Sequence, residues 1–165
     1  MRSLELASHP MGWIVASNSI YNREYSGVAD LARERIITYS KNSRPHQDVL
    51  SLMQANGVMA PRLNCVNSVS AITRLLRDGF GIGALPPVLV AEELARGELT
   101  LLAMDQRPPN LQVVVSWRVG VEWVEEIVTL CQQVVERYAQ KMGEHYIVLS
   151  QPQTRICKTF PRCKY

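Results

Sequence analysis

The segment from Arg62 to Pro87 constrains this chain more than any other, because it reads without a break as strand, helix, strand. Arg62–Val66 is a short extended run. Asn67 and Ser68 offer side-chain oxygens to the free N–H groups of a helix start, and Val69, Ile72, Leu75 and Leu76 then fall on one helical face. Gly79 supplies the left-handed residue on which such a helix ends, and Phe80 just beyond it can fold back on the last turn. Ile82–Leu85 forms a second extended run, closed by Pro86 and Pro87. Two strands joined through a helix run parallel, and parallel strands need cover on both faces, so this segment predicts an α/β fold.

The flanking sequence adds further units of the same kind. Trp13–Ala16 reads as a strand, Val28–Arg33 as a helical turn or two with Val28, Leu31 and Ala32 inward, and Ile36–Tyr39 as a strand. Asn42 or Ser43 then caps a helix with Pro45 in its first turn, which buries Val49, Leu50, Leu52 and Met53 and stops at Asn56-Gly57. After Pro87 comes a helix over Val88–Arg96 with Val88, Leu89, Ala91 and Leu94 inward, then a strand over Leu99–Met104. Asp105–Asn110, with its paired prolines, reads as a linker or crossover into a strand at Leu111–Trp117. The longest helix spans Glu122–Lys141, with Ile127, Leu130, Cys131, Val134, Val135 and Tyr138 as its inward stripe. Glu144–Tyr165 keeps no period and is read as an irregular tail.

Composition removes several functional classes. The net charge of +3 is small and the basic residues are scattered, which does not point to nucleic acid. Cys65, Cys131, Cys157 and Cys163 form no Cys-x-x-Cys and lie near no histidine cluster, so no zinc site is expected; free thiols in a reducing compartment are, two of them acting as small hydrophobes in core elements. Neither a signal peptide nor a membrane-spanning run is present, and a cytoplasmic location follows by exclusion. His9, His46 and His145 stand alone, no serine has a base at suggestive spacing, and Glu92-Glu93 and Glu125-Glu126 read as solvated helix faces. An enzyme is therefore not expected, nor a cofactor or metal.

Two places remain as candidate sites. The helix starts at Asn42-Ser43 and Asn67-Ser68 both follow strand ends, where open α/β sheets bind ligands and where free N–H groups hold a carboxylate or phosphate. The same residues also serve as ordinary caps, each worth about 1 kcal/mol of helix stability. Two such starts in one small sheet favour a ligand. Gly79-Phe80-Gly81-Ile82-Gly83 has the look of a phosphate loop, but it follows a helix and opens a strand, the reverse of the dinucleotide arrangement.

Asn67-Ser68-x-x-x-Ile72 followed by Leu75-Leu76-Arg77-Asp78-Gly79-Phe80-Gly81-Ile82-Gly83-Ala84-Leu85-Pro86 resembles the central signature of LysR-type transcriptional regulators. Val28-Ala29-Asp30-Leu31, Arg35-Ile36-Ile37-Thr38-Tyr39-Ser40 and Leu94-Ala95-Arg96-Gly97-Glu98-Leu99 resemble further landmarks of that family's effector-binding domain, in the same order. The resemblance implies a periplasmic-binding-protein-like (type 2) fold, with three-layer α/β/α subdomains around a cleft that holds a small effector. On that basis residues 13–104 form the complete second subdomain, residues 1–12 and 105–141 the crossovers and a remnant of the first, and residues 142–165 an irregular tail. The effector loops map onto Tyr39, Ser40, Asn42, Ser43, Asn67 and Ser68, and an anionic or aromatic acid is the expected effector. The sequence lacks the family's helix-turn-helix and reads as an N-terminally truncated form. It is expected not to bind DNA directly, and to self-associate or pair with a fuller relative through the apolar surface that the truncation uncovers. The alternative is a degenerate fragment that acts only as an oligomerisation module.

Overall fold

The computed structural model describes residues 2–118, 120 and 123–150 and the short strand at 154–155. In chain order the elements are β1 (Arg2–His9), β2 (Gly12–Ala16), a 3-10 turn (Val28–Arg33), β3 (Arg35–Thr38), α1 (Arg44–Ala55), β4 (Arg62–Cys65) and α2 (Val69–Arg77). They continue with β5 (Ile82–Leu85), a second 3-10 turn (Pro87–Val90), α3 (Ala91–Ala95), β6 (Leu99–Leu101), β7 (Leu111–Trp117), α4 (Trp123–Met142), β8 (Val148–Leu149) and β9 (Thr154–Arg155). The chain forms two compact units. One is Pro10–Leu111; the other takes the described residues up to His9 and from Gln112 onward.

In the Pro10–Leu111 unit the sheet order is β4-β3-β5-β2-β6. β3 pairs in parallel with both β4 and β5, and β2 pairs antiparallel with β5 and β6. The two strands of the β-α-β segment are thus parallel as expected but not neighbours, because β3 lies between them. Alternation along β2 assigns the two faces. Trp13 and Val15 join Val28, Leu31, Ile36, Val49, Met53 and Ile82 in one buried cluster, whereas Ile14 and Ala16 join Ile37, Ile72, Leu76, Leu85, Val90 and Leu99 in the other. With α1 covering one face and α2 the other, this is a three-layer α/β/α unit.

The glycine run between α2 and β5 serves packing, each residue for its own reason. Gly79 has φ +69, and the bonds Gly79 N–H to Leu76 O and Phe80 N–H to Leu75 O complete a Schellman cap on α2. Gly81 lies so close to the Arg35 carbonyl that a Cβ would fall on it, and a Cβ on Gly83 would stand 2.6 Å from Leu76 Cδ1 where α2 meets the sheet. The resemblance to a phosphate loop ends there.

Several expectations are corrected. Val88–Arg96 is a 3-10 turn followed by the short α3; Val90 is its buried residue and Leu89 is exposed, because the tighter 3-10 winding turns the stripe. The strand after Gly97 ends at Leu101, although Leu102 and Met104 stay buried beyond it. Residues 2–9 form a strand of their own with Leu4 and Ala7 buried, a spacing too irregular to read as period two.

In the second unit β1 lies between β7 and β8, and β9 pairs with β1 further along, so the sheet takes in part of the segment read as an irregular tail. The pairs Ala7 with Leu149 and Ser3 with Arg155 fix antiparallel register. Two-residue strands carry no period of their own; the bonding edge of β1 makes them strands. Residues 151–153 and 156–165 of that segment lie outside the described residues.

α4 packs against β1 and β8. Its buried residue is Val128, with Val124, Cys131 and Val135 half-buried on the same side. Ile127, Leu130, Val134 and Tyr138, expected inward, are exposed instead, and with Trp123 they form a continuous outer stripe. The two ridges are about 100° apart on the helix, so periodicity shows a broad apolar arc without saying which part of it the sheet takes. Among the described residues no helix is long and apolar enough to cross a membrane.

Candidate functional site

The carboxyl ends of β3 and β4 carry all six residues singled out by sequence. β3 ends at Thr38 and runs through Tyr39 and Ser40 to α1; β4 ends at Cys65 and runs through Val66 and Asn67 to α2. The two exits are tied together, because Val66 N–H donates to the Thr38 carbonyl at 2.9 Å.

Of the paired cap candidates, the serine is the cap at each helix. Ser43 Oγ accepts from His46 N–H at 3.4 Å while donating to the Ser40 carbonyl at 2.7 Å, which folds the 40–43 loop onto the helix start. Ser68 Oγ accepts from Ala71 N–H at 3.4 Å. Both capping bonds are long, which leaves first-turn N–H groups only partly satisfied. Asn42 and Asn67 are exposed beside the caps. Neither α1 nor α2 has an acidic residue in its first turn, so the positive end of each helix dipole faces no carboxylate of its own.

Tyr39 differs from the other five. Its ring packs on the cluster of Ile37, Ile72 and Leu76, and its hydroxyl is buried without a partner among the described residues. Burial pushes its pKa up to about 12. Thr38 Oγ1, in a fully buried residue, likewise has no partner among the described residues. An unsatisfied buried hydroxyl costs about 1–3 kcal/mol, so Tyr39→Phe is expected to raise the unfolding free energy in the absence of ligand. The sign with pH follows from the raised pKa. The unfolded chain ionises near 10 and the folded one near 12, so the native chain loses stability as pH rises across that window. Denaturant melts at pH 9 and pH 11 should show a smaller loss in the variant, and an equal loss in both would assign the titration elsewhere.

Sequence reasoning left His46 and Cys65 apart, one as a solitary histidine and the other as core filler. The fold joins them: Cys65 is exposed, and its Sγ stands 3.5 Å from Nδ1 of the buried His46. Desolvation, then the charge of Lys41, lowers the His46 pKa. Nineteen residues of separation hid the pair, which only the parallel register of β3 with β4 and the seating of α1 bring together.

A profile of the LysR substrate binding domain matches residues 1–137. The chain belongs to the LysR substrate binding domain family. This LysR-family chain is 34% identical over 82 residues to the HTH-type transcriptional regulator PtxR of Pseudomonas aeruginosa, covering 49% of this chain and 26% of PtxR. The regulatory domain of CcmR from Synechocystis PCC6803, in complex with 2-PG, superposes with TM-score 0.65 at 21% identity, over 81% of this chain and 66% of that one. The effector binding domain of QuiR, in complex with shikimate, gives TM-score 0.62 at 18% identity, over 85% and 66%. At such identities the structures establish the fold, which is the periplasmic-binding-protein-like one. The chain spans about a quarter of PtxR and about two thirds of the solved domains. The family is one of binding domains of transcriptional regulators, not of enzymes.

Proposed function

We propose that this chain is the effector-binding part of a LysR-type transcriptional regulator acting in the cytoplasm. Tyr39, Ser40, Asn42, Ser43, Asn67 and Ser68 form the wall that receives a small anionic metabolite, and DNA contact falls to other parts of a regulator. The observation that carries this reading is the pair of serine-capped helix starts, free of first-turn acids, at the laterally bonded ends of two parallel strands. A carboxylate there meets partly satisfied N–H groups and the positive ends of two dipoles. The shikimate held by QuiR, itself a carboxylate, is consistent in chemistry. Thermal unfolding with a panel of small carboxylates, aromatic acids, phosphate and matched neutral analogues tests it. A shift that grows with concentration for the anions alone is expected; equal shifts for the neutral analogues, or none for any anion, would remove the anionic effector.

A second reading rests on the outer stripe of α4. Trp123 is 62% exposed and Leu130 and Val134 are each 56% exposed, on one ridge of a single helix. Monomeric surfaces seldom leave such a stripe in water. We infer that it is covered by self-association or by pairing with a fuller LysR-type relative, and that this interaction can constitute the chain's role without any effector. Light scattering between micromolar and hundred-micromolar concentration is expected to give a mass above the 18.6 kDa of one chain. A constant monomer mass, with no complex formed on mixing with a full-length relative, would count against both forms.

A further inference from the structure

At the end of β4, away from any use assigned to it above, stands an exposed thiol with an imidazole beside it. Cys65 Sγ is 3.5 Å from His46 Nδ1. His46 is 4% exposed, so its imidazole is held in place and stripped of most of its water, and burial lowers its pKa, so the ring is neutral and carries a lone pair on one nitrogen. Independently, Thr38 is the register partner of Cys65 in the parallel β3–β4 pair, which projects both side chains to the same face of the sheet. Its Oγ1 is fully buried and has no hydrogen-bond partner among the described residues. Structural hydroxyls in such places are normally satisfied. A donor left without an acceptor on the register partner of a nucleophile calls for an acceptor that arrives with the molecule the nucleophile attacks.

We propose that Cys65, His46 and Thr38 form a nucleophilic thiol site that adds to small α,β-unsaturated carbonyl compounds. The thiol proton passes to His46 Nδ1 and the sulfur forms a bond to the β-carbon. The carbon–carbon π pair moves toward the carbonyl, whose oxygen gains negative charge and accepts from Thr38 Oγ1–H. The proton on His46 then returns to the α-carbon, regenerating the imidazole. The product is the saturated thioether, with every atom and electron accounted for and no leaving group or oxidant required. The three residues divide the work as such an addition demands: nucleophile, proton carrier and a donor at the developing oxyanion. This site does not depend on the effector reading, since it uses none of the six residues assigned there.

The test uses the full chain and two probes of the same sulfur. Acrylamide adds through a carbonyl that gains charge, whereas iodoacetamide is displaced at carbon with no such charge. Rates are read at each cysteine by peptide mass spectrometry, with half-buried Cys131 in the same sample as the reference. Cys65 is expected to react with acrylamide about tenfold faster than Cys131, and His46→Asn to remove about tenfold of the Cys65 rate. Thr38→Val is expected to slow acrylamide about tenfold and leave iodoacetamide unchanged, while Thr38→Ser keeps both rates. Thr38→Val preserves shape and removes only an unsatisfied hydroxyl, so it should fold; the iodoacetamide rate in the same sample reports that Cys65 keeps its setting. Equal loss with both probes in Thr38→Val, or no loss with either, would overturn the assignment of Thr38 to the carbonyl. A Cys65 rate that His46→Asn leaves unchanged would overturn the site altogether.

Discussion

Gly81→Ala is expected to destabilise the Pro10–Leu111 unit by about 3 kcal/mol, or about 14 °C in its melting midpoint. The added Cβ would fall on the Arg35 carbonyl oxygen and also crowd Arg35 Cβ at 3.1 Å. The obstacle is backbone in the neighbouring strand, so no side-chain rotation relieves it. The strands can separate only by loosening the β3–β5 pairing, which holds Ile36 against Ile82 and Ile37 against Gly83 at the centre of the sheet. Gly97→Ala provides the contrast. Gly97 has φ +70 but none of the described residues within 4 Å of a built Cβ, so only the left-handed backbone is penalised, at about 1 kcal/mol. Chemical denaturation of the two variants should rank them in that order. Equal losses would mean that contact with Arg35 is not what keeps residue 81 a glycine.

Ser43→Ala combined with Ser68→Ala is expected to abolish stabilisation by an anionic effector while the chain still folds. In the native chain, an effector at about a hundredfold excess over its Kd adds near 2.7 kcal/mol. The double variant loses the two oxygens that orient the helix starts, and Ser43 also closes the 40–43 loop through its bond to the Ser40 carbonyl. Each lost cap lowers the baseline by about 1 kcal/mol, so the comparison must be of the ligand-dependent shift and not of the midpoint itself. Ser51→Ala, at an exposed position of α1, controls for the loss of a hydroxyl from that helix. A full ligand shift in the double variant would reduce Ser43 and Ser68 to caps and nothing more.

Much of the Pro10–Leu111 unit was legible in the sequence because its signals are local. Ser68, the apolar spacing of α2 and Gly79 lie within twelve residues, and the cap, the stripe and the Schellman end occur where those residues require them. The same holds for α1 between Ser43 and Gly57. Legibility failed where the deciding partner is distant in sequence. β8 and β9 are strands only because β1 bonds them, more than a hundred residues earlier in the chain. α4 has apolar residues over a broad arc, and only the sheet decides that Val128 is buried while Leu130 and Val134 are not. At the site, local cues located the two helix starts. They did not reveal that Tyr39 buries its hydroxyl, that Cys65 is exposed, or that it meets His46.

The sequence by itself determined the α/β class and the order of the strands and helices of the first unit, because caps, glycine turns and apolar periodicity are written over spans of ten to thirty residues, and the family through the resemblance of its motifs. Only the tertiary structure decided which strands are neighbours, which ridge of α4 faces water, and which side chains share the carboxyl edge of the sheet. Those outcomes depend on hydrogen-bond register and on competition for a limited buried surface, and neither is a property of any one segment.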